Sequence, residues 1–93
     1  MAEKSEICQR VTICNQRGLH ARAAAKFVKL AGSYEAEIVV IKDGTEVPGR
    51  SIMGLMMLAA APGTEIELRG RGGDAEQAVV ALTQLVLDRF NEE

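Results

Sequence analysis

From Ile7 to Cys14 the side chains alternate, with Ile7, Gln9, Val11 and Ile13 on one side and Cys8, Arg10, Thr12 and Cys14 on the other. A period of two predicts a half-buried strand, with Val11 and Ile13 turned to a core and Arg10 and Thr12 to solvent. Asn15 to Gly18 (NQRG) is turn chemistry. The period then changes. Ala24, Phe27, Val28 and Ala31 recur at helical spacing, and Gly32 suits the end of that helix. Tyr34 to Lys42 (YEAEIVVIK) is rich in β-branched residues and reads as a second strand. Asp43–Gly44 is a two-residue hairpin signal, and TEVPG gives a brief return strand in which Pro48 suits an edge or a strand end. Ser51 is placed to cap a short apolar helix, which Pro62–Gly63 is expected to stop. Thr64 to Gly70 alternates again, with Ile66 and Leu68 inward. Asp74 with Gln77 resembles a capping box. It opens a last helix whose stripe is Ala75, Ala78, Val79, Leu82, Leu85 and Val86.

The resulting order is βαββαβα. The first and last strands each keep one polar face, so the sheet is expected to be covered on one side only. That favours an antiparallel two-layer α+β domain over a doubly wound parallel sheet. The 93 residues suit one domain without linker or repeat, with residues 1–6 expected to be a flexible lead-in.

Charge and composition narrow the function. A net charge of −2 and three aromatic residues, Phe27, Tyr34 and Phe90, fit neither a nucleic-acid footprint nor stacking platforms for single strands. MAEKSEICQR lacks the apolar stretch of a signal peptide, and Leu55 to Ala61 is far too short to span a bilayer. A cytoplasmic protein without membrane insertion is expected. Cys8 and Cys14 read as members of one strand, about 20 Å apart at roughly 3.3 Å per residue. That is too far for a disulfide, and one histidine with two such thiols assembles no familiar zinc site. Both thiols are expected to be reduced bystanders, and neither metal nor cofactor is expected.

The single histidine, His20, falls where the NQRG turn meets the first helix. The first N–H groups of a helix have no internal partner, and their dipoles sum to about half a positive charge. Such an end attracts anions, phosphate among them. Ala21, Arg22 and Ala23 would present their backbone N–H groups there, and Arg22 would add a guanidinium suited to phosphate. The same field favours the neutral imidazole, which is the nucleophilic form. On position alone, a plain surface histidine is the commoner outcome. No second histidine or carboxylate dyad lies beside it in sequence, and GRGGD (Gly70 to Asp74) lacks the Lys-Ser/Thr of a nucleotide loop. An autonomous enzyme site is poorly supported.

Two segments carry a family resemblance. NQRGLHARAAAKFVKLA resembles the active-site segment of HPr, the histidine phosphocarrier of the bacterial phosphoenolpyruvate-dependent phosphotransferase system. GRSIMGLMMLAAAPGTEIEL resembles its second signature, a serine opening a short helix followed by a turn into the last strand. The resemblance runs from about Cys8 to the end of the last helix and leans toward the nitrogen-related branch. It implies an open-faced sandwich, a four-stranded antiparallel sheet with three helices on one face. It implies that His20 is phosphorylated on Nδ1 (a pros-phosphohistidine) by enzyme I and passes the group to an enzyme IIA-type acceptor, with Arg22 as the active-site arginine. The chain would then be a stoichiometric carrier and a monomer, not an enzyme. Ser51 would be the regulatory serine of an HPr kinase/phosphorylase. One departure stands out: Ala23 occupies the position of the family's proline.

The resemblance also implies a docking surface. Ile52, Met53 and Met56 of the short helix are expected to meet partners, together with Leu19, while Leu55 and Leu58 pack inward. Arg17, Arg22, Lys26, Lys29 and Arg50 could form a basic rim facing acidic partners. The competing readings are a purely regulatory HPr-like protein without a role in sugar uptake, a ligand-binding regulatory α+β module, and an RNA-binding module.

Overall fold

The computed structural model describes residues 6–92. Its elements are β1 (Glu6–Thr12), α1 (Ala21–Ala31), β2 (Glu37–Lys42), β3 (Thr45–Pro48), α2 (Ile52–Met57), β4 (Glu65–Arg71) and α3 (Ala75–Leu87). A short helical turn, Arg89–Asn91, follows α3. The strands form one antiparallel sheet in the order β1-β4-β2-β3. The expected α+β sandwich and its element order are therefore present. Of the expected lead-in, residues 1–5 lie outside the described residues, whereas Glu6 already pairs with Arg71 in the sheet.

The core lies on one face of that sheet. Val11, Ile38, Val40, Ile66 and Leu68 point into it from the strands, and Ala24, Phe27, Leu55, Val79 and Leu82 come from the helices. Burying each of the Val, Ile, Leu and Phe side chains stabilises the fold by about 1.5–3 kcal/mol. The opposite face is charged. Arg10 faces Glu65 at 3.9 Å, and Arg69 lies between Glu67 at 3.5 Å and Glu46 at 3.7 Å. Such exposed pairs contribute little individually, about 0–1 kcal/mol, but they keep that face wet. The alternation read along β1 and β4 is this division.

The hairpin between β2 and β3 turns through Asp43 and Gly44 alone, both at positive φ (51° and 82°), and Lys42 pairs with Thr45. Two left-handed residues match the right-handed twist of the flanking strands. Pro48 ends β3, which is an edge strand as expected.

Four local expectations need correction. β1 ends at Thr12, so Cys14 stands outside the strand, although both thiols are free. Strand β2 begins at Glu37, later than Tyr34. Helix α2 ends at Met57 rather than at Pro62, because Ala59 takes a left-handed conformation (φ 52°). Asp74 caps α3 by position only. Its Oδ2 accepts instead from the Glu35 backbone N–H at 2.9 Å, tying the start of α3 to the segment before β2. No helix among the described residues is long and apolar enough to cross a membrane.

Candidate functional site

The site begins at the turn between β1 and α1. Asn15 is buried, 1% exposed, and its Nδ2 donates to Gly18 O at 2.7 Å. Gly18 N–H returns a bond to Asn15 O at 3.2 Å, closing the turn. Gly18 has φ 66°. The next residue, Leu19, donates its N–H to Ala60 O at 2.9 Å. The His20 turn is thereby fastened to the loop after α2, which binds the two sequence motifs into one surface.

His20 is the N-cap of α1. Its backbone is extended (φ −81°, ψ −179°), and its carbonyl accepts the first helical bond from Ala24 N–H at 2.8 Å. Its side chain is held from both sides. Nδ1 accepts from the Arg22 backbone N–H at 3.3 Å, and Nε2 donates to Glu92 Oε2. A carboxylate only accepts, so the proton sits on Nε2 and the lone pair on Nδ1. That is the neutral ring, with its nucleophilic nitrogen facing the helix end.

An open cleft of about 690 Å³ surrounds the ring, lined among others by Arg17, Arg22, Lys26, Arg89 and Glu92. Arg22 and Lys26 are four residues apart and share one face of α1. Lys26 Nζ donates to Phe90 O at 2.7 Å. Of the five basic residues expected to form a rim, the cleft collects Arg17, Arg22 and Lys26. Lys29 lies two turns up α1, and Arg50 is turned away to donate to Tyr34 O at 3.0 Å. Arg89, not foreseen from the sequence, takes a place among them. Of the backbone donors Ala21, Arg22 and Ala23, that of Arg22 engages the ring itself. Ala23, at the position of the family's proline, is buried in the first turn of α1.

The second surface is α2. The Ser51 hydroxyl accepts from Gly54 N–H at 2.9 Å, a true N-cap. Leu55 and Leu58 are buried, as expected. Ile52, Met53 and Met56 are exposed, and Met57 at 78% is the most exposed of the four. Leu19, expected on this surface, is instead 5% exposed and part of the core. The left-handed glycine before it turns its side chain inward.

Asn15 and Glu92 were not legible as site residues. Glu92 reaches the ring because Arg89, Phe90 and Asn91 all adopt left-handed backbone, with φ of 58°, 54° and 61°. Its other oxygen, Oε1, accepts from Asn15 Nδ2 at 3.2 Å. The bond from His20 holds the Glu92 carboxyl below its ordinary value, opposed by partial burial and assisted by the Asn15 bond and the charge of Lys26. A carboxyl with a lowered folded-state pKa adds stability above its unfolded value, about 4.3, and loses it as pH falls to the folded value. The stability gap between the wild type and Glu92→Ala, measured by urea melts, should hold from neutral pH to that range and close on further acidification. A gap that widens in acid would contradict this assignment.

Comparisons with known proteins agree with this geometry. A family model described as "PTS HPr component phosphorylation site" matches residues 7–88. The phosphocarrier protein HPr of Neisseria meningitidis serogroup A is 50% identical over 84 residues, spanning 90% of this chain and 94% of that one. The phosphocarrier protein NPr of Shewanella violacea is 43% identical over 84 residues, 90% of this chain and 92% of that one. The crystal structure of HPr from Bacillus anthracis superposes with a TM-score of 0.85 at 41% identity, covering 88% of this chain and 98% of that one. The chain belongs to the HPr family and is a phosphocarrier of the phosphotransferase system.

Proposed function

We propose that the chain accepts a phosphoryl group on Nδ1 of His20 from phospho-enzyme I and hands it to an enzyme IIA-type acceptor. The observation that carries this reading is the ring itself. Its unprotonated nitrogen faces the N-terminus of α1 beside the Arg22 N–H. The step is an in-line displacement at phosphorus. The Nδ1 lone pair forms the new N–P bond, and the donor's bond to phosphorus breaks with its electron pair returning to the donor. As that bond forms, the Arg22 N–H loses the lone pair it was bonded to and is free to meet a phosphoryl oxygen. The helix end and the Arg22 guanidinium offset the charge that arrives. The cleft is open, so the group remains accessible for the next transfer.

On this reading the chain is a stoichiometric, monomeric carrier working as one domain in the cytoplasm, and no metal or cofactor takes part. Enzyme I and its acceptor dock on the exposed side chains of Ile52, Met53 and Met56, with Arg17, Arg22 and Lys26 facing acidic partner surfaces. Methionines suit a surface that must fit more than one partner. Phosphorylation of Ser51 by an HPr kinase/phosphorylase would put about two negative charges at the edge of that surface. The relatives carry both names, HPr and NPr; on this reading the relay feeds either sugar uptake or nitrogen regulation.

Incubation with phosphoenolpyruvate and enzyme I tests the reading. One equivalent of acid-labile, base-stable phosphate is expected, and phosphorus NMR should place it on Nδ1. No label with active enzyme I, or label on Nε2, would overturn it.

A further inference from the structure

We propose that Glu92 is a positioning residue for phosphoryl transfer, holding the imidazole of His20 from its Nε2 side so that Nδ1 stays aimed at the helix end. This rests on the reading of His20 as the acceptor and adds a residue to it.

The argument starts from how the ring is held. An imidazole turns about its Cβ–Cγ bond, and a rotation there carries Nδ1 away from α1. At rest two contacts resist that turn, the Arg22 N–H on Nδ1 at 3.3 Å and Glu92 on Nε2. The first is long for a hydrogen bond. It must also break during the reaction, because the lone pair that accepts it is the one that attacks phosphorus. The Glu92 contact lies on the other nitrogen and survives. The proton stays on Nε2 throughout, and the positive charge the ring gains on attack meets a carboxylate.

The carboxylate is itself anchored. Asn15 Nδ2, buried beneath the turn, donates to its Oε1 at 3.2 Å. The preceding Phe90 is 0% exposed, and its carbonyl accepts from Lys26 Nζ at 2.7 Å. Three successive left-handed residues without glycine cost roughly 1–2 kcal/mol apiece, so this conformation persists only where surrounding contacts over-determine it. Buried Phe90, Lys26 and Asn15 supply those contacts, and what they deliver is a carboxylate against the ring.

The test has two independent readouts. In unphosphorylated protein with ¹⁵N-labelled histidine, the Nε2 proton is expected as a downfield, exchange-protected resonance. It should vanish in Glu92→Ala and remain in Glu92→Gln, whose amide oxygen still accepts. With enzyme I and phosphoenolpyruvate, Glu92→Ala should be labelled about tenfold more slowly at saturating enzyme I, in the range found when a partner that orients a reacting imidazole is removed. Glu92→Gln should recover part of that loss, to about threefold. A Glu92→Ala variant that keeps the protected proton, or is labelled at the wild-type rate, overturns the proposal. A wild type that takes no label removes the acceptor role of His20 as well. The proton resonance, read without phosphate, then still reports on the bond alone, so the two failures are told apart.

Discussion

His20→Ala should take up no acid-labile phosphate from phosphoenolpyruvate and enzyme I, a loss of at least about 10⁴-fold set only by the detection limit. The chain has one histidine, so no other imidazole can form the N–P bond. Ser51, the other candidate, would carry an acid-stable ester and would still be open to its own kinase. The fold should survive. The side chain of His20 caps α1 through one long bond of 3.3 Å, and losing that cap costs about 0.5 kcal/mol, the low end for a lost cap. Its bond to the part-buried Glu92 carboxylate is lost as well, at a further cost of about 1 kcal/mol. A urea melt within about 2 kcal/mol of wild type, beside a total loss of label, separates chemistry from folding. Label that persists in the variant would falsify the assignment of His20.

Much of this arrangement was readable in the chain. Period-two segments fixed which faces of β1 and β4 turn inward, and Asp43–Gly44 fixed the hairpin, because each depends on neighbours in sequence. The stripe of α3 was recovered residue for residue, from Ala75 to Val86. What failed depends on partners far along the chain. Asp74 was expected to cap its own helix, but a backbone N–H 39 residues earlier took its carboxylate. Helix α2 ended early because Ala59 went left-handed, and alanine gives no hint of that. Glu92 is the extreme case. It stands 72 residues from His20 in a charged run that resembles a solvated tail. Only the left-handed turn through Arg89, Phe90 and Asn91 brings it back, and no residue type there demands such a turn. The acceptor and its helix end were thus legible, while the group that steadies the acceptor was not.

Gly18→Ala should destabilise the protein by about 3 kcal/mol and lower its Tm by roughly 12–24 °C, the second large effect expected. Two costs combine. At φ 66° an L-residue is penalised by about 1–2 kcal/mol. In addition, a β-carbon there would lie 2.4 Å from Ala60 O, 3.1 Å from Ala61 Cα and 3.3 Å from Ala60 C. Those atoms are backbone and cannot swing aside. Relief requires the 2.9 Å bond from Leu19 N–H to Ala60 O to stretch, and that bond fastens the His20 turn to the loop after α2. Gly44→Ala is the control. Gly44 also has positive φ, 82°, but a β-carbon there meets nothing within 4 Å, so only the conformational cost of about 1–2 kcal/mol applies. The excess loss at Gly18 over Gly44 in urea melts therefore reports chiefly the clash with the Ala60–Ala61 backbone. Equal losses would show that the turn gives way freely. A larger loss at Gly18, with slower labelling of His20 in the fraction that remains folded, would show that the same close approach sets both the stability of the turn and the aim of the imidazole it carries.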